Sequence, residues 1–187
     1  MNALILNGGG SEKPYGDISG RAESWLAGRG IPAASFDLIG LDIKPCRGCF
    51  ACWTKTPGLC FQQDAMINLI PLLAKADVIL WITPIMYGGY GYHLKKALDR
   101  SIPILLPFFM KIGAEIHHPM RYGIEARLAA IGVLPDADAE SERIFGELVI
   151  RYSINMHARS LSFVLHAGEE KEPWEERLGP LLAAKEN

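Results

Sequence analysis

Four cysteines, Cys46, Cys49, Cys52 and Cys60, are the only cysteines in the chain and fall in the spacing C-x2-C-x2-C-x7-C. Such crowding points to local chemistry. A disulfide framework spreads its cysteines through a small secreted chain, and a chain of 187 residues can bury a sufficient core without staples. Three readings of the thiols stand side by side. Four thiolates at compact spacing can hold a [4Fe–4S] cluster. Zinc also takes four thiolates, although its structural sites more often use two separated C-x2-C pairs. The third reading is a set of free or redox-active thiols on a loop kept for packing, which Trp53, Thr56 and Pro57 suit.

Two other segments could bind a ligand. Residues 7–16 read NGGGSEKPYG directly after a short apolar run. They lack the GxxxxGK[ST] of a P-loop, and Lys13 stands where a dinucleotide fingerprint needs its third glycine. What remains is a glycine turn with one hydroxyl and one cation before a helix. Gly10, Ser11 and Lys13 could hold a phosphate monoester through backbone N–H groups and the helix dipole; a simple connector would read the same way. The second segment is Thr83-Pro84-Ile85-Met86-Tyr87-Gly88-Gly89-Tyr90. Pro84 fixes a turn, the glycines allow close backbone approach, and Met86 and Tyr87 could cover a flat ring. A core-packing aromatic loop is the alternative. A phosphate loop and a ring loop on one rim together favour flavin mononucleotide (FMN).

The elements that would position these loops alternate between strand and helix. Strands are expected at 3–6, 33–38, 77–83, 128–134 and 161–165, each a short apolar run suited to burial on both faces. Helices are expected at 17–28 with Asp17 as N-cap, at 64–75 with Asp64 as N-cap and a bend at Pro71, and at 92–101. Two more follow. One covers 139–156, with Asp138 as N-cap and Ile144, Phe145, Leu148, Val149 and Tyr152 inward; a closing helix covers 174–184. Residues 39–63 show no periodicity, and 103–122 read as irregular and apolar-aromatic. This pattern predicts one α/β domain over 1–187, a doubly wound five-stranded parallel sheet in the flavodoxin-like order 2-1-3-4-5, with a cysteine-containing loop at about 39–63. In that order ligands sit beyond the carboxyl ends of strands 1, 3 and 4, where residues 8–17, 84–91 and 135–139 fall. The cysteine loop leaves strand 2 at the same end.

With those motifs assembled, the segment from Cys46 through Cys60 to Gln63-Asp64-Ala65-Met66 resembles the NADPH-dependent FMN reductase family. The likeness is strongest to its iron–sulfur flavoprotein-like branch. Thr83-Pro84-Ile85-Met86-Tyr87-Gly88, followed by Leu94-Lys95-Lys96-Ala97-Leu98-Asp99-Arg100, is similar to that family's flavin-ring loop and following helix. The resemblance spans roughly residues 1–110. It implies FMN at the rim, with Gly10, Ser11 and Lys13 on the phosphate and Pro84, Ile85, Met86, Tyr87 and Gly88 on the ring. It also implies NAD(P)H as co-substrate and a small-molecule electron acceptor such as a flavin or quinone. No catalytic acid, base or nucleophile is expected, and the assembly is expected to be a homodimer or higher homo-oligomer. In the iron–sulfur branch Cys46, Cys49, Cys52 and Cys60 would ligate a [4Fe–4S] cluster and the protein would be an electron carrier; a flavin-free thiol sensor or binding module on the same fold is the other alternative. Glu12 departs from the pattern, and a carboxylate there must turn to solvent to tolerate a phosphate.

Composition bounds the remaining classes. Nineteen Lys plus Arg against 21 Asp plus Glu give a net charge of −2, with no basic run to neutralise a nucleic acid. The apolar stretches at 78–86 and 102–110 are too short to span a bilayer, and the start MNALILNGGG lacks a signal-peptide pattern. A cytoplasmic protein is expected. His117-His118 reads as a polar pair on an exposed turn or dimer contact, and Phe108–Met110 as core or dimer surface.

Overall fold

A computed structural model describes residues 1–123 and 125–183. Five strands form the main sheet: β1 (Ala3–Asn7), β2 (Ala33–Asp37), β3 (Val78–Met86), β7 (Arg127–Leu134) and β8 (Arg159–His166). They pair in parallel in the order β2-β1-β3-β7-β8, which is the flavodoxin-like 2-1-3-4-5 order of the sequence reading. Three smaller strands join them. β4 (Gly89–Tyr90) folds back on the end of β3, and β5 (Met110–Ile112) pairs with β6 (Glu115–His117) as a separate hairpin. The central strands are buried along nearly their whole length. Both faces must therefore be covered, and the side chains divide accordingly.

On one face, Leu4, Leu6, Ile79, Trp81, Leu128 and Ala130 pack against helices α3 (Met66–Leu73), α4 (Tyr92–Asp99) and α5 (Ala139–Asn155). On the other, Ile5, Leu80 and Ile131 pack against α1 (Tyr15–Ala27) and the C-terminal segment. Asp138 caps α5 as expected, accepting from the N–H groups of Glu140 at 3.2 Å and Ser141 at 3.3 Å. The buried face of α5 runs through Ser141, Phe145, Val149 and Ser153 at four-residue steps, so Leu148 is displaced outward, against expectation.

Several boundaries differ from the sequence reading for identifiable reasons. α1 begins at Tyr15 after Pro14, so Asp17 is not its N-cap; it lies in the first turn and pairs with Lys13 at 3.4 Å. β3 continues through Pro84 because its neighbour β1 ends opposite Ile82, leaving no partner there that needs the missing N–H. The loop at 39–63 contains a short helix, α2 (Ala51–Thr54). The expected closing helix is instead a 3-10 turn, Glu175–Leu178, followed by α6 (Gly179–Leu182); position 184 lies outside the described residues. Arg21 holds this segment against α1 by pairing with Glu175 at 2.5 Å and donating to the Glu172 carbonyl at 2.6 Å. Among the described residues no helix is long and apolar enough to cross a membrane.

Candidate cofactor rim and four-cysteine pocket

The first loop is shaped by a residue the sequence reading passed over. Asn7 ends β1 with its side chain buried. Its Nδ2 donates to the Gly10 carbonyl at 2.7 Å and the Tyr15 carbonyl at 3.3 Å, and its Oδ1 accepts from the Gly9 N–H at 2.9 Å. This amide side chain therefore fixes the loop internally, the local competition that Asn offers to regular backbone pairing. Gly10 has φ +95°, a conformation that favours glycine. Gly16 donates its N–H to the Glu12 carbonyl at 2.9 Å, and a Cβ at Gly16 would overlap the Ser11 carbonyl oxygen. Ser11 and Glu12 face solvent, as a phosphate-compatible Glu12 requires. The ammonium of Lys13 also stands in solvent, beside Asp17.

The second loop is a tight hairpin. Ile85 pairs with Tyr90 and Met86 with Gly89. The two residues at its tip both have positive φ, +51° at Tyr87 and +78° at Gly88, as a type I′ turn requires. For tyrosine this conformation is unfavourable, and such outliers concentrate at functional sites. Tyr87 is 97% exposed and Met86 55% exposed, so a methionine and an aromatic ring are presented to open space. Ile85 differs: its side chain is buried, so only its backbone can face a ligand. Pro84 is half-buried. The Thr83 hydroxyl accepts from the Gly91 N–H at 2.9 Å and donates to the Pro84 carbonyl at 3.0 Å, which closes the base of the hairpin.

The two loops meet. A Cβ at Gly8 would lie 2.9 Å from Leu94 Cβ in the first turn of α4, directly after the hairpin. Ile39, following β2, covers Gly10. Gly10 and Ser11 after β1, Met86 and Tyr87 at the end of β3, and Asp136 and Asp138 after β7 thus lie at the carboxyl edge of neighbouring parallel strands. A glycine cradle beside an open apolar and aromatic surface suits a phosphate-bearing flat cofactor.

The cysteines form a second site. The loop carrying them leaves β2 at the rim, but it settles against Asp99, Arg100, Ile102 and Pro103 at the far end of α4. The eight residues of α4 separate it from the hairpin by about 12 Å. Trp53 anchors the loop by donating its Nε1–H to the carbonyls of Ile102 at 3.3 Å and Leu105 at 3.1 Å. Gln62 closes it by donating to the Pro45 carbonyl at 3.2 Å. All four thiols are free and line one depression, Cys46 and Cys49 exposed, Cys52 and Cys60 half-buried. Burial pushes the Cys52 thiol pKa up, and the neighbouring sulfurs of Cys60, Cys46 and Cys49 push it further.

Among the described residues, no three His, Cys, Asp or Glu side chains converge closely enough for a single metal ion. Four cysteines lining one depression supply the donor set that a [4Fe–4S] cluster takes.

Beneath this depression Asp64 and Arg100 form a buried ion pair, with side chains 0% and 1% exposed and an N–O distance of 2.7 Å. Asp64 also accepts from the N–H groups of Lys44 at 3.0 Å and Met66 at 3.1 Å, and Arg100 donates to the Lys44 carbonyl at 2.6 Å. The pair thus clamps both ends of the cysteine loop. Burial raises the Asp64 pKa, but hydrogen bonds from Arg100, Lys44 and Met66 outweigh it and hold the carboxyl below its ordinary range. His117, expected on an exposed turn or a dimer contact, does not lie on an exposed turn: it is buried between Asn155 and Glu115, at 2.9 Å from each. Its neighbour His118 is half-buried, its ring tilted against Trp53 with centroids 4.7 Å apart.

The model of a family described as NADPH-dependent FMN reductase matches residues 1–124. An iron–sulfur flavoprotein of Methanocaldococcus jannaschii is 28% identical over 117 residues, 60% of this chain and 60% of that protein. An iron–sulfur flavoprotein of Archaeoglobus fulgidus is 28% identical over 97 residues, 50% of this chain and 43% of that protein. The chain thus spans about half the length of the curated relatives it matches. Among solved structures, an NAD(P)H:quinone oxidoreductase from Methanothermobacter marburgensis superposes with a TM-score of 0.65 at 13% identity, covering 95% of this chain and 88% of that one. An FMN-dependent NADH-azoreductase from Bacillus anthracis, in complex with FMN, gives 0.58 at 10% identity, covering 93% and 91%. At these identities the structural likeness concerns the fold.

Proposed function

Because the chain belongs to the NADPH-dependent FMN reductase family, we propose that it is an FMN-dependent NAD(P)H oxidoreductase that passes electrons to a small acceptor such as a quinone or flavin. The observation that carries this reading is that the Asn7-wired glycine loop and the exposed Met86–Tyr87 hairpin leave neighbouring parallel strands at the same edge of the sheet. When bound, FMN would supply the hydride chemistry, accepting from the nicotinamide and releasing electrons to the acceptor.

The chain's residues bind and orient. Gly10 and Ser11 offer backbone N–H groups and a hydroxyl to the phosphate, and Lys13 can swing from Asp17 to add charge. The backbone of Pro84, Ile85 and Gly88 and the side chains of Met86 and Tyr87 would hold the ring. No side chain is assigned as acid or base. The exposed Phe108, Phe109 and Ile116 on and beside the β5–β6 hairpin give a second copy an apolar surface, in keeping with a homodimer. Cytoplasmic location and the absence of a nucleic-acid role rest on composition and charge.

Steady-state oxidation of NADPH by FMN-loaded protein with a quinone acceptor tests this. Parallel double-reciprocal lines, with turnover well above that of free FMN, are expected. Turnover no faster than free FMN would contradict the proposal.

A second reading is favoured by the depression that the four thiols share over a buried cation. In it Cys46, Cys49, Cys52 and Cys60 hold a [4Fe–4S] cluster, which would supply one-electron exchange with a partner.

A further inference from the structure

Arg100 carries an unspent donor. Its guanidinium meets Asp64 end-on, Nη1 to Oδ2 at 2.7 Å and Nη2 to Oδ1 at 3.0 Å, and Nη1 also serves the Lys44 carbonyl. This leaves the Nε–H on the side edge, buried and without a well-formed hydrogen bond. A buried N–H in that state costs about 1–3 kcal/mol and calls for an explanation. Arg100 lines the depression shared by all four cysteines, whereas Asp64 does not, so the guanidinium stands between the carboxylate and the sulfurs. Its bidentate pairing with the Asp64 carboxylate fixes the guanidinium in this position.

We propose that Arg100 is a positioning residue of the four-cysteine site, its buried guanidinium directing the free Nε–H and its positive edge at the sulfur side of a [4Fe–4S] cluster and thereby raising the cluster's reduction potential. The inference rests on the cluster reading above. Reduction adds one electron and no proton, so negative charge grows beside a cation that cannot leave. Held on a guanidinium that is itself shielded from water, a fixed donor and positive edge favour the more negative state. Hydrogen bonds to cluster sulfurs and local charge are among the known controls of such potentials. Asp64 fixes the direction of the effect by holding the far end of the guanidinium.

The test is anaerobic reconstitution with ferrous iron and sulfide, followed by a dye-mediated redox titration with dithionite. It compares the wild type, Arg100→Lys and the double variant Asp64→Asn/Arg100→Gln. The double variant leaves no unpaired buried charge and keeps the same formal local charge as the native pair. Iron and sulfide content with the visible charge-transfer absorbance first establishes loading.

The expected result is loading in all three, with midpoint potentials falling from wild type to Arg100→Lys to the double variant. A merely structural role would change the loaded fraction and leave the potential of the loaded protein unmoved. Equal potentials in the loaded proteins would overturn the assignment to Arg100 while leaving the cluster reading intact. A wild type that takes up no iron and sulfide would overturn both.

Discussion

Replacing Asp64 with asparagine is expected to destabilise the protein by about 3–5 kcal/mol, the usual loss when one partner of a buried ion pair is removed and the other charge is stranded. The position makes the upper half of that range the expectation. Asp64 accepts from Arg100, Lys44 and Met66 at once, and asparagine has only one acceptor oxygen for these donors. Arg100 is buried as well and cannot turn to water.

The same carboxylate ties stability to pH. Its folded pKa lies below the unfolded value of about 3.9. Its contribution is therefore fully present above that value and is lost as pH falls through the folded pKa. Denaturant titration at neutral pH checks the first point: the midpoint should fall with the slope unchanged. The variant should also flatten the acid limb of the stability curve. A loss below about 1 kcal/mol, the scale of a solvent-screened pair, would contradict the description of this clamp as buried and fully engaged.

Gly16→Ala is expected to weaken FMN binding by at least tenfold, about 1.4 kcal/mol, while leaving the fold in place. The reason is backbone, not side chain. A Cβ there overlaps the Ser11 carbonyl oxygen, which no change of rotamer relieves, so the turn through Gly10 and Ser11 must move. That turn supplies the phosphate contacts in the proposed site, and Asn7 fixes the same turn from the opposite side. Gly20→Ala, on the same helix with open space around its Cβ position, is the control. Alanine exceeds glycine in helix propensity, so this control should bind FMN normally and gain slightly in stability. Equilibrium dialysis with FMN reads both variants. Equal affinity in the two would show that the loop at 10–14 does not carry the phosphate.

The sheet was legible because its signal is local. Ala3–Asn7, Val78–Met86 and Arg127–Leu134 are apolar runs that announce two-sided burial, and their alternation with helices leads to the observed strand order. The Asp138 cap was legible for the same reason, since its partners lie within three residues. The β5–β6 hairpin was not: strands of three residues are too short to display a period of two, and only Gly113, at φ +58°, marks the turn.

His117 was misjudged because its burial depends on Asn155, 38 positions away. The Asp64–Arg100 pair spans 36 positions and escaped for a like reason, although each residue stood inside a segment singled out for resemblance. In the candidate site, the residue types were readable and the wiring was not. Asn7 precedes three glycines, a pattern suited to a side chain that bonds its own loop, and that signal could have been taken up. That the cysteine loop leaves the rim and packs at the far end of α4 follows from the Trp53 anchor and the Arg100 clamp, which only the folded chain assembles.

The central claim is that FMN occupies the rim between the Asn7-wired loop and the Tyr87–Gly88 hairpin. Titrating flavin-free protein with FMN, followed by gel filtration and an absorption spectrum of the protein peak before and after anaerobic NADPH, tests it most directly. Saturable retention of FMN with a perturbed flavin spectrum that bleaches on adding NADPH is the predicted result. A protein peak free of flavin, or bound flavin that NADPH leaves oxidised, would contradict the account.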